Sequence, residues 1–296
     1  VNLLPGLHPN LDEATYHALD LPSYSRLKTL IAASPAHLRE SIDNPKESTE
    51  AQKLGSVLDC LTLTPGNFDK RFAIAGPCAA RQKDGKICGN PGKMFSDGDW
   101  FCGKHPREAM PVGLIIPQDM LDTACRMRDA VIAHPEARRL LTLPGPVQMS
   151  FVWEDEESGL RCKGRTDKLI PSASIIVDLK KTGAGKASPE NWPAEILRWG
   201  YHLQGAMYPR GLAALGESYE HFVHIVVEDE PPHAVGVYRL KDEILELGWR
   251  QLELALHTYA ECERSGVWPA YSDHMLDISL PRWGTKRIEE SLQETA

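Results

Sequence analysis

Two short stretches concentrate the residue types that hydrolytic chemistry needs. Gly164-Arg165-Thr166-Asp167 ends on a carboxylate, and Ile175-Ile176-Val177-Asp178-Leu179-Lys180 carries Asp-x-Lys. Both have apolar flanks and read as strands. Residues two apart on a strand leave the same face, so Asp178 and Lys180 point the same way. Two carboxylates and a lysine on adjacent strands can hold a hard divalent cation and a water side by side. That is the minimum equipment for metal-assisted hydrolysis of a phosphodiester. Mg²⁺ takes oxygen ligands, which suits Asp167, Asp178 and the backbone carbonyl of Leu179. The Lys180 ammonium can position or polarise the attacking water, or offset charge on the phosphorane. Asp-x-Lys on its own is a common strand sequence. The preceding Arg-Thr-Asp and the surrounding positive charge give it weight.

Gln204 and Tyr208 stand at i and i+4 of a predicted helix, so both can reach one ligand. An amide and a phenol bind a phosphate oxygen or a metal-bound water without adding charge. In isolation the pair fits an ordinary polar helix face. Pro209 directly after Tyr208 predicts a kink, because a proline inside a helix removes a hydrogen bond.

A formal net charge of −8 argues at first against a nucleic-acid partner. The local field matters more than the total. Residues 161–186 hold seven basic side chains against Asp167 and Asp178, while the acid is concentrated at 154–157 and 228–230. A basic floor in an acidic body suits a protein that grips phosphates at one place. Arg165, Lys181 and Thr182 are the DNA-binding candidates there. The bland alternative is a solvated, charged hairpin.

Seven cysteines, an odd number in a chain read as cytosolic, do not suggest a disulfide framework. Cys60, Cys125, Cys162 and Cys262 lie in apolar or amphipathic surroundings and read as buried small residues. The other three form Cys78-x9-Cys88-x13-Cys102-x2-His105. Three thiolates and an imidazole suit tetrahedral Zn²⁺. The segment around them is rich in glycine, with Trp100-Phe101 as its main apolar pair, so a metal would supply its folding energy. Free thiols in a loose loop are the alternative. Arg81, Lys83, Lys86, Lys93 and Lys104 would let this insert touch DNA or a partner.

The elements that must position these groups follow from periodicity. Residues 11–50 read as helices, with Ser34 as a cap and Pro35 at a first helical position. A third helix covers Gln52 to Leu63, and helical pattern resumes from Pro117 to Leu141. Val147 to Trp153 and Leu160 to Leu169 read as a hairpin, followed by a strand at Ile175 to Leu179. Trp192 to about Leu215 is helical, Phe222 to Val227 and Ala234 to Leu240 form a second hairpin, and Leu245 to Glu263 is a long helix. The tail reads as irregular. The pattern predicts a mixed sheet flanked by helices, an α/β (α+β) fold. The domain reading is an N-terminal helical part over 1–75, a zinc-binding insert over 76–108 and a core over 109–296. With 42% hydrophobic and 25% charged residues the composition is that of a globular chain. No apolar run reaches the roughly 18 residues of a membrane span, and no secretory signal is visible at the start. A cytoplasmic location is the default expectation.

The motif order resembles the PD-(D/E)xK nucleases, specifically the phage and prophage exodeoxyribonuclease VIII-like (RecE/RecB-type) group. Residues 21–28, 34–37, 54–65, 162–167, 178–182 and 201–208 carry the resemblance, with the Pro231-Pro232 and Trp268-Pro269 region. It implies a restriction-endonuclease-like core and Mg²⁺- or Mn²⁺-dependent digestion of linear duplex DNA from an end. Single-stranded DNA would be the product, passed to an annealing protein for recombination or phage DNA processing. It also suggests a ring-like homo-oligomer around the DNA. Asp59 stands where the relatives usually have a metal-binding His, and is itself a competent hard-metal ligand. Gln148 stands near a position where many relatives have Glu. The RecB-type nucleases with an iron–sulfur cluster place most of its cysteines after Gln-x-x-x-Tyr, whereas these precede it.

Two other functions fit the same residues. One is a catalytically weak or inactive nuclease fold that binds DNA or protein through its zinc insert. The other is an endonuclease or nickase, which would cut closed circles.

Overall fold

The computed structural model describes residues 3–106 and 113–294. In chain order the elements are β1 (Gly6–His8), α1 (Glu13–Ala18), α2 (Tyr24–Ala32), α3 (Pro35–Asp43), α4 (Glu50–Leu63), α5 (Phe68–Arg71) and β2 (Phe72–Ile74). The insert contributes β3 (Met94–Ser96) and β4 (Asp99–Phe101). Then come β5 (Leu114–Ile116), α6 (Gln118–Ala133), α7 (Pro135–Thr142), β6 (Val147–Glu154), β7 (Arg161–Ile170) and β8 (Ile175–Thr182). The chain continues through α8 (Trp192–Trp199), α9 (Tyr201–Ala213), β9 (His221–Glu228), β10 (Val235–Arg239), α10 (Asp242–Ser265) and α11 (Arg282–Glu294).

One six-stranded sheet, in the order β1-β6-β7-β8-β9-β10, organises the molecule. Its pairs are antiparallel except β8 with β9. That parallel pair needs a long crossover, which α8 and α9 supply. Helices cover both faces. On one, Leu27 of α2, Leu203 and Met207 of α9 and Leu252 of α10 pack against Phe151, Ile176 and Phe222 of the sheet. On the other, Leu58 of α4, Met127 of α6 and Leu140 of α7 pack against Val177, Leu179 and Ile225. Alternation along β8 and β9 sends successive side chains into these two cores.

Several helix limits follow local rules. Ser34 accepts the His37 N–H with Pro35 in the first turn, and Thr49 with Gln52 forms a capping box at α4. Two single helical readings divide, and the N-terminal helices gain one. The N-terminal stretch is α1, α2 and α3; Pro135 starts α7 straight after α6; and Gly200, in the left-handed region at φ 68°, separates α8 from α9. Conversely α9 runs on through Pro209 to Ala213. The tail, expected to be irregular, contains α11, a polar helix with a Lys286–Glu290 pair one turn apart and few neighbours.

Glycines let α9 approach the sheet. A Cβ on Gly211 would lie 2.8 Å from the Trp153 ring, and one on Gly205 would lie 2.8 Å from Leu240 Cδ1. That proximity sets Gln204 and Tyr208 over the strands that carry the acidic motifs.

Candidate active site

The sheet is interrupted where the two acidic motifs meet. The β7–β8 ladder runs from Ile170↔Ile175 to Lys168↔Val177 and stops. Its next rung would pair Asp167 with Asp178. Two carboxylates facing each other on one rung repel, and the Leu179 N–H instead donates to Asp167 Oδ2 at 2.8 Å. The β6–β7 ladder skips a rung at the same level, between Val147↔Lys168 and Met149↔Thr166. The omitted pair is Gln148 and Asp167, and Gln148 has a φ of 51°. A non-glycine residue held there is strained, and such strain gathers at functional sites.

The splayed strands admit side chains from both faces. Asp59 reaches in from α4, while Gln204 and Tyr208 come from α9. These three, with Gln148, Arg165, Asp167, Asp178, Leu179 and Lys180, line a cavity of about 360 Å³. A larger hollow of about 1070 Å³ lies on apolar side chains of α8 and α10, and none of Asp59, Asp167, Asp178 and Lys180 lines it. The charged motif residues gather in the smaller, polar cavity.

Within it Asp178 is 2% exposed and forms an ion pair with Lys180 Nζ. Gln204 Nε2 donates to Asp178 Oδ1 at 2.6 Å. The Lys180 ammonium also sits 4.8 Å from the centre of the Tyr201 ring. Gln148 Nε2 lies 3.4 Å from Asp167 Oδ1, and its Oε1 accepts from Arg165 Nε at 2.9 Å. Tyr208 is buried, edge-on to Tyr24 and Phe151.

The charges are not balanced. Burial, and then the Asp178 charge, pushes the Asp167 carboxyl up to about 7, against the pull of Lys180 and the Leu179 N–H. Burial, and then the Asp167 charge, holds Asp59 well above the usual carboxylate range. Burial works against the Lys180 ammonium, but Asp178, Tyr24 and Tyr201 hold it above the ordinary lysine value. Three carboxylates thus share one lysine. Gln204 Oε1 is moreover buried without a hydrogen-bond partner, and Asp178 Oδ2 is met by the Lys180 ammonium but by no hydrogen bond. Oxygen acceptors in excess of donors are what a hard cation requires, so this donor set fits one.

Of the DNA-binding candidates, Arg165 borders the cavity but is bound within the fold: Nη1 donates to the Leu11 carbonyl and to Ser150 Oγ, each at 2.8 Å. Lys181 pairs with Asp229 at 3.0 Å and Thr182 is buried; neither lines the cavity. Lys163 Nζ donates to the carbonyls of Tyr16 and Leu19 at 2.8 and 2.7 Å, closing the end of α1. Most of the expected basic floor is thus engaged within the fold. Six of its seven cations (Arg161, Lys163, Arg165, Lys180, Lys181 and Lys186) have partners within the fold, a use that a charge count along the chain cannot reveal.

Side chains not anticipated from the motifs complete the cavity. Glu13 and Tyr16 of α1 and Tyr24 of α2 border it. Tyr24 was accessible from sequence, since it lies in the 21–28 stretch. His224 of β9 lies directly beside Asp178 in the parallel ladder, fully buried. Its only signal was a lone imidazole between Phe222 and Val226.

The cysteine insert brings its four candidate ligands together. The three sulfurs and His105 Nδ1 all lie within 4.8 Å of one another. Cys78 Sγ and Cys102 Sγ are 3.6 and 3.5 Å from Nδ1, and Cys88 and Cys102 sulfurs are 3.9 Å apart. A tetrahedral zinc with ordinary bond lengths has S–N edges of about 3.5 Å and S–S edges of about 3.8 Å. Trp100 wedges between Gly76 and Gly92, where a Cβ would fall 2.4 and 2.7 Å from the Trp100 side chain. Cys60, Cys162 and Cys262 are buried, Cys125 is partly so, and all seven cysteines are free thiols.

A split mixed sheet with Asp, Asp-x-Lys and a Gln-x-x-x-Tyr helix defines a PD-(D/E)xK-type fold. Residues 23–278 match the family described as "PDDEXK-like domain of unknown function (DUF3799)", and the chain belongs to it. The fold is shared with the crystal structure of a "Putative exonuclease" from Eubacterium rectale. That match has a TM-score of 0.59 and 14% identity, covering 93% of this chain and 98% of the other. A phage related exonuclease from Haemophilus somnus 129PT is more distant, with a TM-score of 0.36, 10% identity and coverage of 86% and 90%. No protein of curated function matches the sequence. Among the described residues no helix is long and apolar enough to cross a membrane.

Proposed function

We propose that this protein is a Mg²⁺-dependent exodeoxyribonuclease that degrades linear duplex DNA from an end and leaves single strands. The observation that supports it best is the broken rung. It sets Asp167 and Asp178 at the mouth of a split sheet, with Lys180, Asp59 and Gln204 turned into the same cavity and acceptors left over. Asp59, Asp167, Asp178 and the Leu179 carbonyl would hold the metal. Mg²⁺ when bound supplies Lewis acidity and a water of lowered pKa. Lys180 would orient an attacking water and offset charge on the scissile phosphate. Gln204 holds Asp178 in place, and Tyr208 fixes the wall against which the strand lies. The exonuclease name of the Eubacterium rectale structure agrees with this reading. Recombination or phage DNA processing, an annealing partner and a ring-like assembly are the corresponding roles.

In the insert, Cys78, Cys88, Cys102 and His105 hold a structural Zn²⁺. The near-tetrahedral edges support that assignment, and neutral or thiolate N/S donors favour zinc over magnesium.

The test is digestion of linear and covalently closed duplex DNA, with and without Mg²⁺, wild type beside Lys180→Ala. Mg²⁺-dependent loss of linear DNA alone, absent in the variant, is expected. Cutting of closed circles would make it an endonuclease. Intact DNA in every lane, from folded and zinc-loaded protein, would leave a DNA- or protein-binding module.

A further inference from the structure

We infer that His224 is a positioning residue for Asp178, locked by Trp192 into the one neutral tautomer that aims an N–H at that carboxylate. The inference rests on the metal-site reading above and deepens it.

The tautomer follows from hydrogen-bond chemistry. Trp192 Nε1 lies 3.3 Å from His224 Nδ1. An indole nitrogen can only donate, so Nδ1 must be the acceptor and carry no proton. A neutral imidazole then bears its proton on Nε2. That atom is buried without a hydrogen-bond partner and lies 3.9 Å from Asp178 Oδ2. Asp178 Oδ2 is buried, makes no geometric hydrogen bond and is held by the Lys180 ammonium alone on its other side. An unmatched donor thus faces an oxygen whose other neighbour is the Lys180 ammonium, about 1 Å beyond hydrogen-bond length.

The surroundings fix the ring. Asp178 and His224 are partners in the parallel β8–β9 ladder, so their side chains leave the same face. The rings of Trp192, Tyr201 and Phe222 stand edge-on around the imidazole, at centroid distances of 5.6, 5.8 and 5.5 Å. Such a box leaves little rotamer freedom. An unmatched donor in an aromatic box is a cost to folding, and such costs are retained where function uses them. Carboxylates that bind metals are ordinarily held by a further hydrogen bond, and losing that partner typically weakens metal affinity 10- to 100-fold. Here Gln204 holds Oδ1 and His224 is set to hold Oδ2 once Asp178 turns toward a cation and away from Lys180.

The test is Mn²⁺ titration of zinc-loaded, full-length protein without DNA, followed by electron paramagnetic resonance of free Mn²⁺. Melting temperature without Mn²⁺ is recorded for every variant. His224→Leu should weaken Mn²⁺ binding by about 10- to 100-fold. His224→Gln, which can accept from Trp192 and donate to Asp178, should stay within a few-fold of wild type. Trp192→Phe, which frees the tautomer, should fall between the two. A purely structural role would move the melting temperature of all three and give no rescue by glutamine. Unchanged Mn²⁺ affinity in His224→Leu overturns the inference. Should that variant not fold, wild-type affinity in Trp192→Phe overturns it equally. A wild-type protein that binds no Mn²⁺ and cleaves no DNA removes the metal-site reading itself, and is told apart by the wild-type titration.

Discussion

Replacing Asp167 by Asn should make the Mg²⁺-free protein clearly more stable at pH 8 and change its stability little at pH 5. Burial and the Asp178 charge raise the Asp167 carboxyl from 3.8 to about 7. A shift of roughly three units corresponds to roughly 4 kcal/mol against the ionised form, taken as an upper limit. The folded value lies above the unfolded one, so the folded state holds the proton more tightly. The resulting stability is fully present below about pH 4 and is lost as the pH rises through about 7. Asparagine has no charge to bury at any pH. It cannot, however, accept from both the Leu179 N–H and Gln148, a loss of about 1 kcal/mol. The net gain at pH 8 is then about 3 kcal/mol. At roughly 2 °C per kcal/mol for a chain of this size, the melting temperature should rise by about 6 °C. At pH 5 the folded Asp167 holds its proton but the unfolded one is ionised, so taking up that proton still costs wild type about 1.6 kcal/mol, and after the lost hydrogen bond the gain in the variant is only about 0.6 kcal/mol. Calorimetry in Mg²⁺-free buffer with zinc retained measures both. Added Mg²⁺ should stabilise wild type at pH 8 but not the variant. The same melting shift at both pH values would refute a carboxylate held in want of a cation.

Lys180→Ala should lower cleavage of linear DNA by roughly 10²- to 10⁴-fold, with DNA binding by fluorescence anisotropy retained; full activity would remove lysine from the mechanism. Cys102→Ser should take bound zinc, measured by mass spectrometry, from about one per chain to near none, and expose residues 77–106 to limited proteolysis. Gly211→Ala forces a methyl against Trp153 and should cost about 1–3 kcal/mol by urea unfolding; a neutral result would mean that α9 can lift from the sheet at little cost.

The acidic motifs were legible because their chemistry is local. Asp-x-Lys needs only a strand, Gln-x-x-x-Tyr only a helix, and the cysteine spacing only a loop. The structure brings Asp59, Asp167, Asp178, Lys180, Gln204 and Tyr208 to one cavity. What the sequence could not reveal depends on tertiary partners. Nothing near Arg165 or Lys163 announces that each will bond to carbonyls of the N-terminal segment more than 140 positions away. His224 acquires a role only because a parallel crossover lays β9 beside β8. The divided helices show the same limit, since Gly200 and Pro135 are permitted rather than obligatory breaks.

The unequal stitching of the sheet has a mechanical side. Seven residue pairs join β6 to β7 and eight join β8 to β9, but three join β7 to β8. The sheet is two three-stranded leaves sewn by a short seam. The seam lies at the end where residues 171–173 carry the chain across, so turn and stitches together form a hinge. Asp167 and Asp178 face each other just past the last stitch, on the free edges of the leaves. Whatever the two carboxylates grasp in common becomes a clasp across that gap. On the reading proposed above, a cation bound there would bridge the two leaves across the gap that the ladder leaves open.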